Sequence, residues 1–587
     1  MTGAAIRRLV LAVVAGWTPG LISVSAAQTL NDPKLHVREV VSGLNQPTAM
    51  AFIGPGDILV LQKGDGRVRR VINGVLQTGQ VLDVAVDELS ERGLLGIALH
   101  PNFPATPSVY LYYTQSSTSG DTSGSPLANR VYRYTWNGSA LVSPSLILDL
   151  PVTPGPNHNG GTMTFGPDGK LYVVIGDLNH NGQLQNNSSG VAPDNTGVIF
   201  RINDDGSAPN DNPFFSQGGN LAKYYAYGVR NSFGLAFDPV TGVLWDSENG
   251  PASYDEINLV EPGFNSGWTQ IMGPDARDSQ NVSDLVQFPG SHYADPKFSW
   301  FNTVGPTAIT FMSSPGLGAD YTNDLFVGDI NNGHLYRFRV NAARNGFDFA
   351  APGLSSDLVA DNNTELQEVI LGTGFGGITD LKVGPDGLLY VLSLGLGKIF
   401  VIFGQATLVD FDGDGKADIG IYRDGAWSII RSLDGGVTSF GWGGSSWIPV
   451  VADYDGDGKA DIAVYNANGL WSIVRSSDGG NTLIGWSGAA NDIPVPADYD
   501  GDGKADLAVY NTASAGWSII RSSDGGLTYK AWGGPGWIPM PADYDGDGKA
   551  DIAVYNASNG LWSILRSSDG VNTLVGLGGA AQDIPLN

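Results

Sequence analysis

A nine-residue segment, Asp410-Phe411-Asp412-Gly413-Asp414-Gly415-Lys416-Ala417-Asp418, returns almost unchanged at Asp453, Asp498 and Asp543, at intervals of about 45 residues. Repetition at a fixed period means one structural unit stacked on copies of itself. Each copy leads into an apolar segment such as Ile462-Ala463-Val464-Tyr465, then into a Trp-Ser-Ile segment and a Ser-Asp-Gly turn. Short β-rich runs separated by Gly and Asp read as strands, so this region is expected to be a β-repeat domain. Carboxylates occupy the first, third, fifth and ninth positions: Asp410, Asp412, Asp414 and Asp418; Asp453, Asp455, Asp457 and Asp461; Asp498, Asp500, Asp502 and Asp506; Asp543, Asp545, Asp547 and Asp551. Glycines between them let a tight loop turn its oxygens inward, which suits a hard cation such as Ca²⁺. Position seven is always lysine (Lys416, Lys459, Lys504, Lys549), and its backbone carbonyl is free to ligate. The loop is not an EF-hand, because strands follow it and no bidentate Glu stands at position twelve.

A second, weaker repetition precedes it. Units begin near Thr48, Leu95, Gly161, Gly234, Thr307 and Ile378, and most continue into a second apolar strand such as Leu389-Tyr390-Val391-Leu392. Six such units imply six blades around an axis, with the loops between blades converging on one face. The expected architecture is all-β: a six-bladed β-propeller over 35–404, then a β-repeat, propeller-like domain over 405–587. With 587 residues the chain is too long for one domain.

The N-terminus reads as a secretory signal over 1–27. Arg7-Arg8 precede an apolar stretch, Ser25-Ala26-Ala27 offers a cleavage site, and Pro19-Gly20 break the run before it could span a bilayer. The chain is therefore expected to be secreted or periplasmic, without a membrane span. It has no cysteine, which excludes disulfides and thiolate metal sites. Its 32 basic and 59 acidic residues give a net charge of −27, which argues against nucleic acid as a partner.

His158 lies just before a hairpin signal, Asp168-Gly169, and Asp177 lies just after the returning strand. The fold-back brings histidine and carboxylate to one end of a sheet, where they can act as a general-base pair. Arg230-Asn231 and Glu248-Asn249-Gly250-Pro251 flank strands of the next unit and are expected on the same face.

These motifs carry a resemblance. Gly93-Leu94-Leu95-Gly96-Ile97-Ala98-Leu99-His100-Pro101-Asn102-Phe103, the His158 hairpin, Asp205-Gly206 with Asp211-Asn212-Pro213-Phe214, Arg230-Asn231 with Gly234-Leu235-Ala236-Phe237, and Glu248-Asn249-Gly250-Pro251 with Asp255-Glu256-Ile257-Asn258 occur in order. Over Leu35 to Gly404 the chain resembles the soluble pyrroloquinoline-quinone (PQQ) glucose/aldose sugar dehydrogenases. The Asp loops resemble FG-GAP or VCBS calcium-binding repeats. The first resemblance implies that His158 takes the proton from the sugar C1 hydroxyl, that Asp177 orients it, and that Arg230 stabilises charge on the quinone. It further implies that Asn231 and Asn249 contact the cofactor and that the carbonyls of Gly250 and Pro251 bind Ca²⁺. The implied partners are a small sugar and an electron acceptor whose identity is not legible.

One departure stands out. The family meets the quinone carboxylates with a lysine in the fifth-blade loop and two arginines opening the sixth blade. This chain has Asn331, Gly377 and Thr379 there, with Lys382 and Arg337 as the nearby cations. The residues thus leave open an alternative, a non-catalytic secreted propeller that binds carbohydrate or protein and carries a calcium-stabilised adhesion-like tail.

Overall fold

The computed structural model describes residues 28–32, 35–314, 316–404, 409–545 and 547–577. The expected signal segment and residues 405–408 of the linker lie outside them. Six sheets of four or more strands form the first part, antiparallel except where Phe264–Asn265, His292–Tyr293 and Val359–Ala360 add parallel outer strands, with innermost strands Pro47–Gly54, Leu94–Leu99, Met163–Phe165, Ser232–Phe237, Pro306–Phe311 and Ile378–Val383. Each innermost strand touches the next, and the sixth touches the first. Met50 donates its backbone N–H to Asp380 (2.8 Å) and Thr379 donates its hydroxyl to the Pro47 carbonyl (2.9 Å), so the ring closes by hydrogen bonds as well as packing. The outer strand of the sixth blade comes from the other end of the region: Leu35–Val41 pairs antiparallel with Lys398–Gly404.

The burial pattern explains why blades read as apolar runs. Leu171–Ile175 is buried throughout. Successive side chains point to opposite faces of a strand. Leu171, Val173 and Ile175 pack against second-blade residues such as Ala98 and Tyr112, whereas Tyr172 and Val174 pack against Leu235 and Leu244 of the fourth. Each fully buried side chain of this kind contributes about 1.5–3 kcal/mol. The turn at the foot of this hairpin is longer than the expected two residues. It runs from Gly166 to Lys170, closed by Gly166 N–H to Lys170 O and Gly169 N–H to Gly166 O, both 2.9 Å. Pro167 has no N–H to give a ladder, so the strand ends before it.

The Asp-loop region forms four further sheets. Successive loops are joined by backbone hydrogen bonds: Ala460 N–H to Asp410 O (2.6 Å), Ala505 to Asp453 (2.7 Å) and Ala550 to Asp498 (2.6 Å). The loops rest on the sixth blade, where Gly458, Gly503 and Gly548 face Leu388, Phe403 and His36 in turn. A Cβ at Gly503 would collide with the Phe403 ring, so glycine is required at that contact. A cavity of about 1360 Å³ separates loops and propeller, with Asp386, Arg337, Asp453 and Lys504 among its lining residues. This is the face on which first-to-second-strand hairpins turn, including Ser314 and Gly387. His158 and Asp177 lie at the opposite ends of these strands, so the repeats leave that face uncovered. No helix among the described residues is long and apolar enough to cross a membrane.

Candidate active site and calcium loops

His158 and Asp177 meet as the hairpin demands. His158 Nδ1 lies 2.5 Å from Asp177 Oδ1, and both residues are buried. His158 adopts φ +61°, held by its backbone N–H on Glu91 Oε2 (2.6 Å). Asp177 is fixed on both oxygens: the Asn179 N–H reaches Oδ1 and the Trp268 indole reaches Oδ2, each at 2.8 Å. With Nδ1 committed to the carboxylate, Nε2 is the nitrogen left to accept a proton.

Arg230 joins them through its carbonyl, which accepts the Asp177 N–H (2.8 Å). Its guanidinium stacks over Trp268 (5.3 Å to the ring centre) and donates to the Asn249 carbonyl (2.7 Å). Burial lowers the Arg230 pKa, while Asp177, Glu248, Glu91 and Asp255 pull it back up. Beneath it, Glu248 accepts the Arg230 N–H (2.6 Å), and burial pushes this carboxyl up to about 7. Two buried polar atoms here have no partner among the described residues: Arg230 Nε, a donor, and Asn231 Oδ1, an acceptor. A buried orphan donor beside an orphan acceptor costs stability unless a ligand satisfies them.

Asn249 plays a different part from Asn231. Its side-chain amide donates to the carbonyls of Asn231 and Pro306, tying the fourth blade to the fifth. The Gly250-Pro251 turn is built on Asp255, whose carboxylate accepts N–H groups from Gly250 (2.8 Å), Val304 (2.6 Å) and Gly305 (2.7 Å). Of the substitute cations, Lys382 pairs with Asp380 (3.2 Å). Arg337 pairs with Asp324 (2.8 Å) and lines the cavity on the far face, so it cannot serve this site.

Sequence reasoning missed Glu91 and Trp268, and it placed Glu248 on this face without giving it a role. Glu91 precedes the second blade as His158 precedes the third, so blade equivalence alone could have flagged it. Trp268 is 91 residues from Asp177, and no local pattern announces it.

In the repeats, three carboxylates of each loop converge: Asp410, Asp412 and Asp418; Asp453, Asp455 and Asp461; Asp498, Asp500 and Asp506; Asp543, Asp545 and Asp551, with ligand atoms within 4.8 Å of one another. The fifth-position residues stand outside these triads. Asp414, Asp457, Asp502 and Asp547 accept hydroxyl hydrogens from Ser432, Ser476, Ser522 and Ser567. Burial first, then the neighbouring carboxylates, raises Asp457 and Asp498 to about 6 and Asp461 to about 7. Asp506 also rises to about 7. Such crowding fits a cation, and it sets a pH dependence. Below these values the carboxyls hold protons that Ca²⁺ must displace. Calcium titration of the full chain is expected to show affinity falling about tenfold or more between pH 7.5 and 5.5. At neutral pH, chelation should lower the repeat transition in a melting curve, because an ion at 100 times its Kd adds about 2.7 kcal/mol per site. Equal affinity at both pH values would remove the triads as the binding groups.

Comparison with known proteins completes the picture. The glucose/sorbosone dehydrogenase family model matches residues 44–400. The chain belongs to the glucose/sorbosone dehydrogenase family. An FG-GAP-like repeat model matches residues 410–464 and 498–554. The quinoprotein glucose dehydrogenase B of Acinetobacter calcoaceticus is 34% identical over 254 residues, 40% of this chain and 52% of that protein. The aldose sugar dehydrogenase of Escherichia coli is 26% identical over 385 residues, 64% of this chain and 94% of that protein. The solved structure of a glucose dehydrogenase-type oxidoreductase from Thermus thermophilus is 31% identical, covering 63% of this chain and 100% of that one, with a TM-score of 0.50. Family membership makes the propeller a sugar-dehydrogenase-like enzyme and bears out the expected six-bladed fold.

Proposed function

We propose that the chain is a secreted or periplasmic oxidoreductase that oxidises an aldose at C1 with PQQ and calcium. The observation that carries this reading is the His158–Asp177 pair at 2.5 Å, set beside the orphaned Arg230 Nε and Asn231 Oδ1. Arg230 and Asn231 would hold the quinone, and the Gly250 and Pro251 carbonyls the calcium ion. When bound, the quinone supplies two-electron oxidising capacity and calcium supplies Lewis acidity.

This chain's residues do the rest. His158 Nε2 takes the proton of the anomeric hydroxyl. Asp177 keeps the imidazole in the Nδ1–H tautomer and stabilises the imidazolium that forms. Trp268 and Asn179 keep Asp177 from turning away. Arg230 stands ready for developing negative charge. The repeats dock on the far face, so the site stays open to a sugar and to an electron acceptor. The similarity to a quinoprotein glucose dehydrogenase and an aldose sugar dehydrogenase supports the substrate class. The test is aldose-dependent dye reduction by the protein supplied with PQQ and calcium. No reduction with any aldose would overturn the proposal in favour of a binding propeller.

A further inference from the structure

Trp268 serves two parts of the site at once: its indole N–H holds Asp177 Oδ2, and its ring carries the Arg230 guanidinium. It is half-buried and lies in a turn, so no strand ladder fixes it. Its anchor is a pair of asparagines that take no part in the proton transfer themselves.

Asn186 belongs to the segment that leaves Asp177 and returns at Gly197, where the Gly197 N–H reaches the Gly176 carbonyl (2.9 Å). Asn265 ends the short strand Phe264–Asn265. The two are 79 residues apart in sequence and almost fully buried, at 1% and 0% exposed. Each side-chain amide donates to the other, Asn186 Nδ2 to Asn265 Oδ1 (2.9 Å) and Asn265 Nδ2 to Asn186 Oδ1 (2.7 Å). A primary amide has two donors and two lone pairs. The rest are used as well. Asn186 donates to the Trp268 carbonyl (2.8 Å) and accepts the Val286 N–H (3.1 Å). Asn265 donates to the Val286 carbonyl (3.3 Å) and accepts the Gly267 N–H (3.1 Å).

A buried polar network that is fully satisfied rigidifies its surroundings and specifies one arrangement. Here the arrangement is the position of Trp268. Asn186 takes its carbonyl, the Gln185 carbonyl takes the Thr269 N–H (2.7 Å), and the Gly228 carbonyl takes the Trp268 N–H (3.1 Å). The backbone on both sides of the indole is thus held, twice by residues 185 and 186. Gly228, two residues before Arg230, backs onto the pair so closely that a Cβ there would overlap Asn265 Oδ1. Only an amide serves at position 186. An aspartate of the same shape would turn an oxygen toward the Trp268 carbonyl and Asn265 Oδ1, where a shared donor now stands.

We infer that Asn186, locked to Asn265, is a positioning residue for the proton transfer: it holds Trp268 against Asp177 and Arg230, and so keeps His158 aimed. The kinetic consequence rests on the proposed oxidation at C1; the geometric one does not.

Asn186→Asp tests both. In aldose-dependent dye reduction with PQQ and calcium, kcat should fall by about 10²-fold, the scale of a catalytic group displaced by about 1 Å, with KM changed less. Trp268→Phe, which lacks the indole N–H, should cause a comparable loss. The double variant should lose little more than Trp268→Phe alone, because both changes act on one bond to Asp177. Losses that multiply overturn the inference. The second readout needs no cofactor. In protein carrying ¹⁵N-histidine, the Nδ1 proton that His158 shares with Asp177, identified by its disappearance in His158→Ala, should shift or broaden in Asn186→Asp. If that variant does not fold, Asn186→Ser, which withdraws the same reach to the Trp268 carbonyl, replaces it in both measurements. An unchanged His158 resonance in the folded variant overturns the inference whether or not an aldose is oxidised. A shifted resonance in a protein that oxidises no aldose upholds the positioning and overturns the proposed reaction instead.

Discussion

Replacing His158 with alanine is expected to lower kcat for aldose-dependent dye reduction by about 10²–10⁴-fold, the usual contribution of a positioned general base. The loss should fall on kcat more than on KM, because Nε2 acts on the proton in flight rather than holding the sugar. The fold should survive. The backbone N–H of His158 stays on Glu91, and Asp177 keeps its bonds to Trp268 and Asn179. Melting temperature and quinone binding of the purified variant are therefore the controls. A variant that keeps more than a tenth of the activity would take His158 out of the mechanism.

The parts of the fold legible in the sequence are those written by local periodicity. Strands that begin near Thr48, Leu95, Thr307 and Ile378 could be read because a blade's inner strands are covered on both faces and must be apolar. The outer strand of the sixth blade could not, because Leu35–Val41 and Lys398–Gly404 are brought together only by closure of the ring. The site divides in the same way. His158 and Asp177 are joined by one hairpin, and their pairing follows from its fold-back. Glu91 reaches the histidine from the second blade, and Trp268 reaches the carboxylate from the loop after Phe264–Asn265, a strand added late in sequence to the same sheet, and such long-range partners leave no spacing to read. In the Asp loops the spacing did show the convergent carboxylates, but not that the fifth position turns to a serine hydroxyl from the strand-end turn some twenty residues on. That bond depends on how the loop packs against its own sheet.

The missing cationic anchors make the sharpest remaining expectation. Asn331 follows the strand Leu325–Asp329, and Thr379 lies near the start of Ile378–Val383, so both stand on the same face as His158. Asn331 is exposed, and Thr379 commits its hydroxyl to Pro47. Gly377 is a poor place to restore charge. It has φ +84°, and a Cβ there would stand 3.0 Å from the Ile330 carbonyl. Lys382 and Arg337 are already paired with aspartates. Arg230 is then the side-chain cation in contact with Asn249 and Trp268, while the proposed cofactor bears three carboxylates. The double variant Asn331→Lys/Thr379→Arg should therefore bind PQQ more tightly than the unsubstituted chain. Each charge-assisted hydrogen bond contributes about 1.5–3 kcal/mol, so two give about 10²–10⁴-fold in Kd. Titration calorimetry of both proteins in the presence of calcium measures the difference. Tight binding by the unsubstituted chain, unchanged in the double variant, would mean that other groups already neutralise the carboxylates and that Asn331 and Thr379 do not face them. Absence of binding by both would break the link between this pocket and the quinone, and the orphaned Arg230 Nε and Asn231 Oδ1 would then await a different, less anionic ligand.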